Sequence, residues 1–112
     1  MTLLFLTSLS GCGIDCDNEV ISTVASPSGK LAAVVFNRGC GATTGFNTQV
    51  SILHAGATLD PNDGGNVLIL DGTVPLKIEW QSDSAVSISK LNRARVFKQE
   101  NFVAGVSITY GN

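Results

Sequence analysis

Phe46-Asn47-Thr48-Gln49-Val50-Ser51-Ile52 decides the fold class. Phe46, Thr48, Val50 and Ile52 alternate with Asn47, Gln49 and Ser51, the period-2 pattern of a half-buried strand. Immediately upstream lies Asn37-Arg38-Gly39-Cys40-Gly41-Ala42-Thr43-Thr44-Gly45, read as a loop. Before that, Leu31-Ala32-Ala33-Val34-Val35-Phe36 is apolar at every position, which predicts a central strand buried on both faces. Ser26-Pro27-Ser28-Gly29 is a turn: proline presets φ at the second position and glycine closes the turn at the fourth. The β-branched run Val20-Ile21-Ser22-Thr23-Val24-Ala25 then forms a hairpin with the apolar strand.

Downstream, His54 to Gly65 reads as a loop with Asp60-Pro61-Asn62-Asp63-Gly64-Gly65 at its tip. Asn66 to Leu70 is a short buried strand closed by Asp71-Gly72. Val74, Leu76, Ile78 and Trp80 alternate with Pro75, Lys77 and Glu79, and the missing N–H of Pro75 suits a strand start or an edge. Val86 and Ile88 continue the alternation after a turn at Gln81–Ser84. Arg93 to Lys98 is a further strand, with Gln99-Glu100-Asn101 as a hairpin connection to a last strand, Phe102 to Tyr110. No window has a 3.6-residue apolar period. The expected fold is all-β: a single antiparallel β-sheet domain, either a curled sheet or a small sandwich of about seven to eight strands.

Composition narrows the function classes. The chain has 112 residues, of which 44% are hydrophobic and 14% charged. That is one domain, too apolar for a disordered chain. The formal net charge is -2, and the seven Lys and Arg are scattered. Nucleic-acid binding needs a basic stripe, so no nucleic-acid partner is expected.

The first residues read as a targeting segment. Leu3-Leu4-Phe5-Leu6 opens an apolar run too short to cross a membrane, and it leads into Leu9-Ser10-Gly11-Cys12. An apolar stretch ending in small residues is the pattern of a secretory signal. The last four residues resemble a bacterial lipobox, in which the cysteine thiol takes a diacylglycerol and a peptidase cuts before it. The signal lacks the usual early Lys or Arg. The rival reading makes residues 1–11 an ordinary first strand or core segment. On the first reading, residues 1–11 are a lipoprotein signal peptide, Cys12 is the lipid attachment site, residues 12–19 are a tether, and residues 20–112 are a single β-domain.

With Cys12 lipidated, Cys16 and Cys40 remain. An even pair in an oxidising compartment suggests a disulfide that pins the tether to the Gly-rich loop. Two rivals stand beside it: a zinc site of Cys12, Cys16, Cys40 and His54, whose spacing lacks a second tight pair, and a Cys40 nucleophile with His54 as its base, for which no orienting carboxylate is in view. The Gly-rich loop lacks the Gly-Lys-Ser/Thr and following helix of a phosphate cradle. The tip Asp60, Asn62, Asp63 lacks the distal Glu of a calcium loop. No catalytic residue, metal or cofactor is therefore assigned. Arg38, Thr43, Thr44 and Phe46 form a candidate interaction loop, because loops on rigid sheets carry most recognition.

The run Ser26-Pro27-Ser28-Gly29-Lys30, then Ala33-Val34-Val35-Phe36, then Cys40-Gly41-Ala42-Thr43-Thr44-Gly45-Phe46, then Thr48-Gln49-Val50-Ser51-Ile52 resembles a group of small uncharacterised bacterial proteins, many with lipoprotein signals. That group usually has Asp where this chain has Ser28. A weaker similarity, in Ser26–Lys30 and Ile78–Ser84, is to single blades of β-propellers. The resemblance implies a small envelope domain without an established activity. The expectation is thus a lipid-anchored protein of the bacterial cell envelope, on the periplasmic or surface side. Its partners would be the membrane, through the lipid on Cys12, and an envelope protein or wall component bound by a non-enzymatic β-domain. The alternatives are an envelope enzyme or redox protein using Cys40, and an inhibitor or immunity-type partner of an envelope enzyme.

Overall fold

The computed structural model describes residues 16–40 and 45–112. Those residues form nine strands and no helix: β1 (Asp17–Ala25), β2 (Leu31–Gly39), β3 (Asn47–His54), β4 (Leu68–Asp71), β5 (Lys77–Ser82), β6 (Ala85–Ser89), β7 (Val96–Gln99), β8 (Phe102–Val103) and β9 (Val106–Tyr110). They divide into a five-stranded sheet, β1-β2-β3-β4-β7, and a four-stranded sheet, β5-β6-β9-β8. The chain is all-β and sandwich-like. The signal segment, Cys12 and the first part of the tether lie outside the described residues, as do Thr43 and Thr44. Residues 17–19, expected to belong to the tether, are strand.

The two sheets meet over one apolar layer. Val35, Val50, Ile52, Leu68 and Leu70 of the first sheet pack with Val86, Ile88, Val106 and Ile108 of the second, and Val67 and Leu91 join from connections. Period-2 alternation puts these side chains on the facing sides. At one end the sheets are tied by polar contacts. Trp80 Nε1 donates to the Val24 carbonyl at 2.9 Å, and the Ser28 amide donates to Asp83 Oδ1 at 2.9 Å. That amide holds the exposed Asp83 carboxyl below its ordinary range. Tyr110, whose hydroxyl donates to the Glu100 carbonyl, has its pKa pushed up to about 12, first by burial and then by the Glu100 charge.

The β1–β2 hairpin closes as its sequence requires. Gly29 N–H donates to the Ser26 carbonyl at 2.8 Å, and Gly29 has φ +80°. Ser26 is buried, and its hydroxyl accepts the Leu31 amide at 3.2 Å. A β-bulge between Val20 and Ser22 shifts the register midway along β1.

Three local expectations change. First, β3 is buried on both faces over Thr48–Ile52 rather than half-buried. Residues 55–66 fold back over its far side, where the Gly65 amide donates to Gln49 Oε1 at 2.7 Å and the Asn66 amide to Ser51 Oγ at 3.1 Å. Second, the strand expected from Val74 begins at Lys77. The Val74 amide instead donates to Thr48 Oγ1 at 2.8 Å, and Pro75 has no N–H to offer a ladder. Third, Gln99-Glu100-Asn101 is not a hairpin turn. It carries the chain from β7 in the first sheet to β8 in the second, with the Glu100 amide donating to the Val67 carbonyl at 2.8 Å. The hairpin falls inside Phe102–Tyr110, where Ala104 (φ +52°) and Gly105 (φ +78°) turn β8 into β9. Two successive positive φ angles make the primed turn that suits a two-residue hairpin. The sheets are also not wholly antiparallel, since β6 and β9 run parallel.

Candidate functional site

Cys16 and Cys40 are joined by a disulfide, with their Cα atoms 4.0 Å apart. The pairing follows from the strand register. Asp17 lies opposite Gly39 at the last rung of β1 and β2, so the two cysteines face each other one step beyond. The bond therefore fixes the start of an edge strand to its neighbour β2.

That bond removes both sulfurs from the zinc set and from any nucleophile. His54 is also far from them. It lies opposite Leu31, at the other end of β2, and the length of that strand separates it from Cys40 by about 25–30 Å at the usual rise. At the 55–66 tip, Asp60 Oδ1 accepts the Asn62 amide at 2.8 Å, and the Asp63 amide donates to the Asp60 carbonyl at 3.0 Å. These are turn contacts, and the described residues contain no group of carboxylates, cysteines or histidines able to hold a metal.

Arg38 and Phe46 diverge. Arg38 belongs to β2, and its guanidinium points onto the outer side of the first sheet. It donates to Asn18 Oδ1 at 2.8 Å and to the carbonyls of Asp63 at 3.0 Å and Pro61 at 3.1 Å. Arg38 thus fastens the tip of the 55–66 loop, a contact that the turn residues of the tip do not announce. Phe46 remains exposed, with its ring against Gly39; a Cβ at residue 39 would lie 2.8 Å from that ring. Gly39 and Gly45 are absent from the positive-φ positions of the chain, so space for the ring, not left-handed backbone, is what Gly39 supplies.

Sequence reasoning missed the feature that these contacts create. Residues 55–66 make a strap across the outer face of β2 and β3. Asn66 clamps one end, accepting the Ile52 amide at 2.8 Å and donating to the Ile52 carbonyl at 3.0 Å. Gly65 passes so close that a Cβ would meet the Val50 carbonyl oxygen at 2.7 Å. Leu59 and Leu53 pack against Ala32, Val34 and Phe36, forming a second small core outside the sandwich. Between the strap and β1 a cleft of about 220 Å³ remains, lined chiefly by Val20, Thr23, Val34, Leu53, Ala57 and Leu59. The sequence signal for it was the strand apolar on both faces together with a single leucine in an otherwise polar loop.

The cleft adjoins the free edge of the first sheet. Among the described residues β1 has only β2 as a neighbour. Val20 and Ile21 are each 54% exposed. Asp17 and Glu19 share one side of the strand and are exposed, while the only ion pair among the described residues is Lys77–Glu79 at 3.6 Å. The arrangement offers backbone hydrogen-bonding groups, an apolar recess and two unneutralised carboxylates along one strand. No protein-family model, no curated protein and no solved structure matches this chain.

Proposed function

We propose that this protein is a lipid-anchored component of the bacterial cell envelope whose β-domain binds a partner without catalysing a reaction. The observation that carries the reading is the Cys16–Cys40 disulfide. A structural disulfide belongs to an oxidising compartment. It also accounts for two of the three cysteines and leaves Cys12, the one that ends the lipobox-like Leu9-Ser10-Gly11-Cys12. On this reading a diacylglycerol on Cys12 attaches the domain to a membrane, with residues 13–16 as the link. Multiple acyl chains give a stable anchor, since each buried CH₂ contributes about 0.8 kcal/mol. The partner is an envelope protein or wall component.

Metabolic labelling of the full chain with a palmitate analogue tests the anchor. Label should appear on the wild type in the membrane fraction and vanish in Cys12→Ser. A wild type that stays unlabelled in the cytosol, with Cys16 and Cys40 reduced, refutes the proposal.

A further inference from the structure

We propose that the outer edge of β1 receives an extended segment of a partner protein with the pattern aliphatic–basic–x–basic, its aliphatic side chain entering the cleft beside Val20. The proposal names the surface and the chemistry of the partner for the binding domain inferred above. It rests on the binding part of that reading and not on the lipid.

The first argument compares the free edges. Proteins blunt exposed edges by shortening them or charging them. Here β7 has four residues and β8 two, and β5 carries the Lys77–Glu79 pair. By contrast β1 has nine residues, and although Asp17 and Glu19 charge its first half and a bulge follows Val20, Val20 and Ile21 stay more than half exposed at its centre. It is also held rigidly at both ends. The disulfide fixes its start, while the Ser26–Gly29 turn and the Trp80–Val24 hydrogen bond fix its finish. A preorganised edge pays less ordering entropy when a strand is added.

The second argument is the recess. Strand addition gains affinity from main-chain hydrogen bonds and specificity from pockets that take alternate side chains. Val20 lies opposite Phe36, on the face covered by the strap. Val20 and Thr23, both exposed, form the rim of the cleft on the β1 side. Its volume of about 220 Å³ falls below that of pockets for drug-sized ligands, which begin near ~300 Å³, and suits one aliphatic side chain.

The third argument is charge. The register between Asp17 and Val20 is unbroken, so Asp17 and Glu19 lie on one face and Val20 on the other. An antiparallel segment meets Val20 first, then Glu19, Asn18 and Asp17. Its aliphatic residue thus faces the cleft side, and its residues one and three places later lie beside the two carboxylates. Basic side chains there give the complement that the described residues do not supply. A second copy of this chain does not fit, because the strand Asp17-Asn18-Glu19-Val20-Ile21-Ser22-Thr23-Val24-Ala25 contains no cation.

The test uses the full chain with its disulfide intact and an acetylated peptide, Thr-Val-Lys-Thr-Lys-Thr, followed by amide and methyl chemical shifts. Shifts are expected along Asp17–Thr23 and at Val34 and Leu53. A peptide with Glu for both Lys should bind about tenfold more weakly. The double variant Asp17→Lys, Glu19→Lys, both at exposed positions, should reverse that preference. Of two peptides N-methylated at alternate amides, one at Val and the middle Thr and one at the two Lys, one should lose binding, because alternate amides of an added strand donate to the edge. No shift at about 1 mM peptide, equal binding of the Lys and Glu peptides, or undiminished binding of both N-methylated peptides overturns the proposal. So does slow exchange, in the free chain, of those Ile21–Thr23 amides that do not donate to β2, which would mean that a second copy or another part of the chain already occupies the edge.

Discussion

A single side chain, Arg38, fastens the tip of the strap that covers the outer face of the first sheet. Its guanidinium reaches two carbonyls of the 55–66 tip and the side chain of Asn18. A planar group with five donors in a fixed fork reaches oxygens set apart from one another, whereas a lysine gathers its three donors on one nitrogen at the end of a flexible stem. Asn18 depends on it as well, since its Oδ1 is committed to Arg38 while its buried Nδ2 has no partner among the described residues. Arg38→Ala should therefore cost about 1–3 kcal/mol. Amide exchange should accelerate at residues 62–65 more than at β3. Equal acceleration throughout the first sheet would show that Arg38 supports the sheet and not the strap. Arg38→Lys should recover only part of the loss.

At the scale of elements, the turns carry the information that the strands lack. Ala104 stands at φ +52° in the β8–β9 turn, where a residue with a Cβ is strained and Asn is preferred. Ala104→Asn should raise stability by about 0.5–1 kcal/mol, measured as a higher denaturant midpoint at unchanged slope. An unchanged or lower midpoint would contradict the turn assignment. The β5–β6 turn has a different task. Its Asp83 accepts the Ser28 amide and so links the two sheets at their tied end. The folded-state pKa of Asp83 is depressed, so its contribution is present above the unfolded pKa of about 4 and is lost as pH falls through the folded value. Asp83→Ala should remove part of the acid sensitivity, making the fall in stability below about pH 4 shallower than in the wild type. Wild-type and variant curves that run parallel over that range would exclude a role for this hydrogen bond.

For the whole molecule, the disulfide matters because it acts on an edge strand. It closes a loop with a sequence separation of 24 residues, which corresponds to about 3 kcal/mol in the chain-entropy account. Against a typical total of about 5–15 kcal/mol this is a large share. Reduction should lower the melting temperature and release the start of β1 before any other strand, read as faster exchange at Asn18–Val20. Release of the core strands at the same reductant concentration would mean that the sandwich itself depends on the bond. If the edge proposal is right, reduction also weakens the peptide while leaving the strap in place.

The sequence by itself determined the class of element and several turns. Alternation in Thr48–Ile52, the apolar run Leu31–Phe36 and the Ser26-Pro27-Ser28-Gly29 turn all specify local backbone geometry, which depends on neighbouring residues alone. Parity of the cysteines pointed to Cys16–Cys40, although only the register of β1 with β2 brings the two together. Tertiary structure decided the division into two sheets, the parallel β6–β9 pair, the break inside Phe102–Tyr110 and the use of Arg38 to hold the strap. The reason is physical. A period of two says which side of a strand is apolar, but ladder partners join through backbone groups that are the same at every residue. Gln49 and Ser51 look solvent-facing by that rule. They are buried because the strap supplies the amides of Gly65 and Asn66, and no local pattern encodes a hydrogen bond to a partner about fifteen residues away.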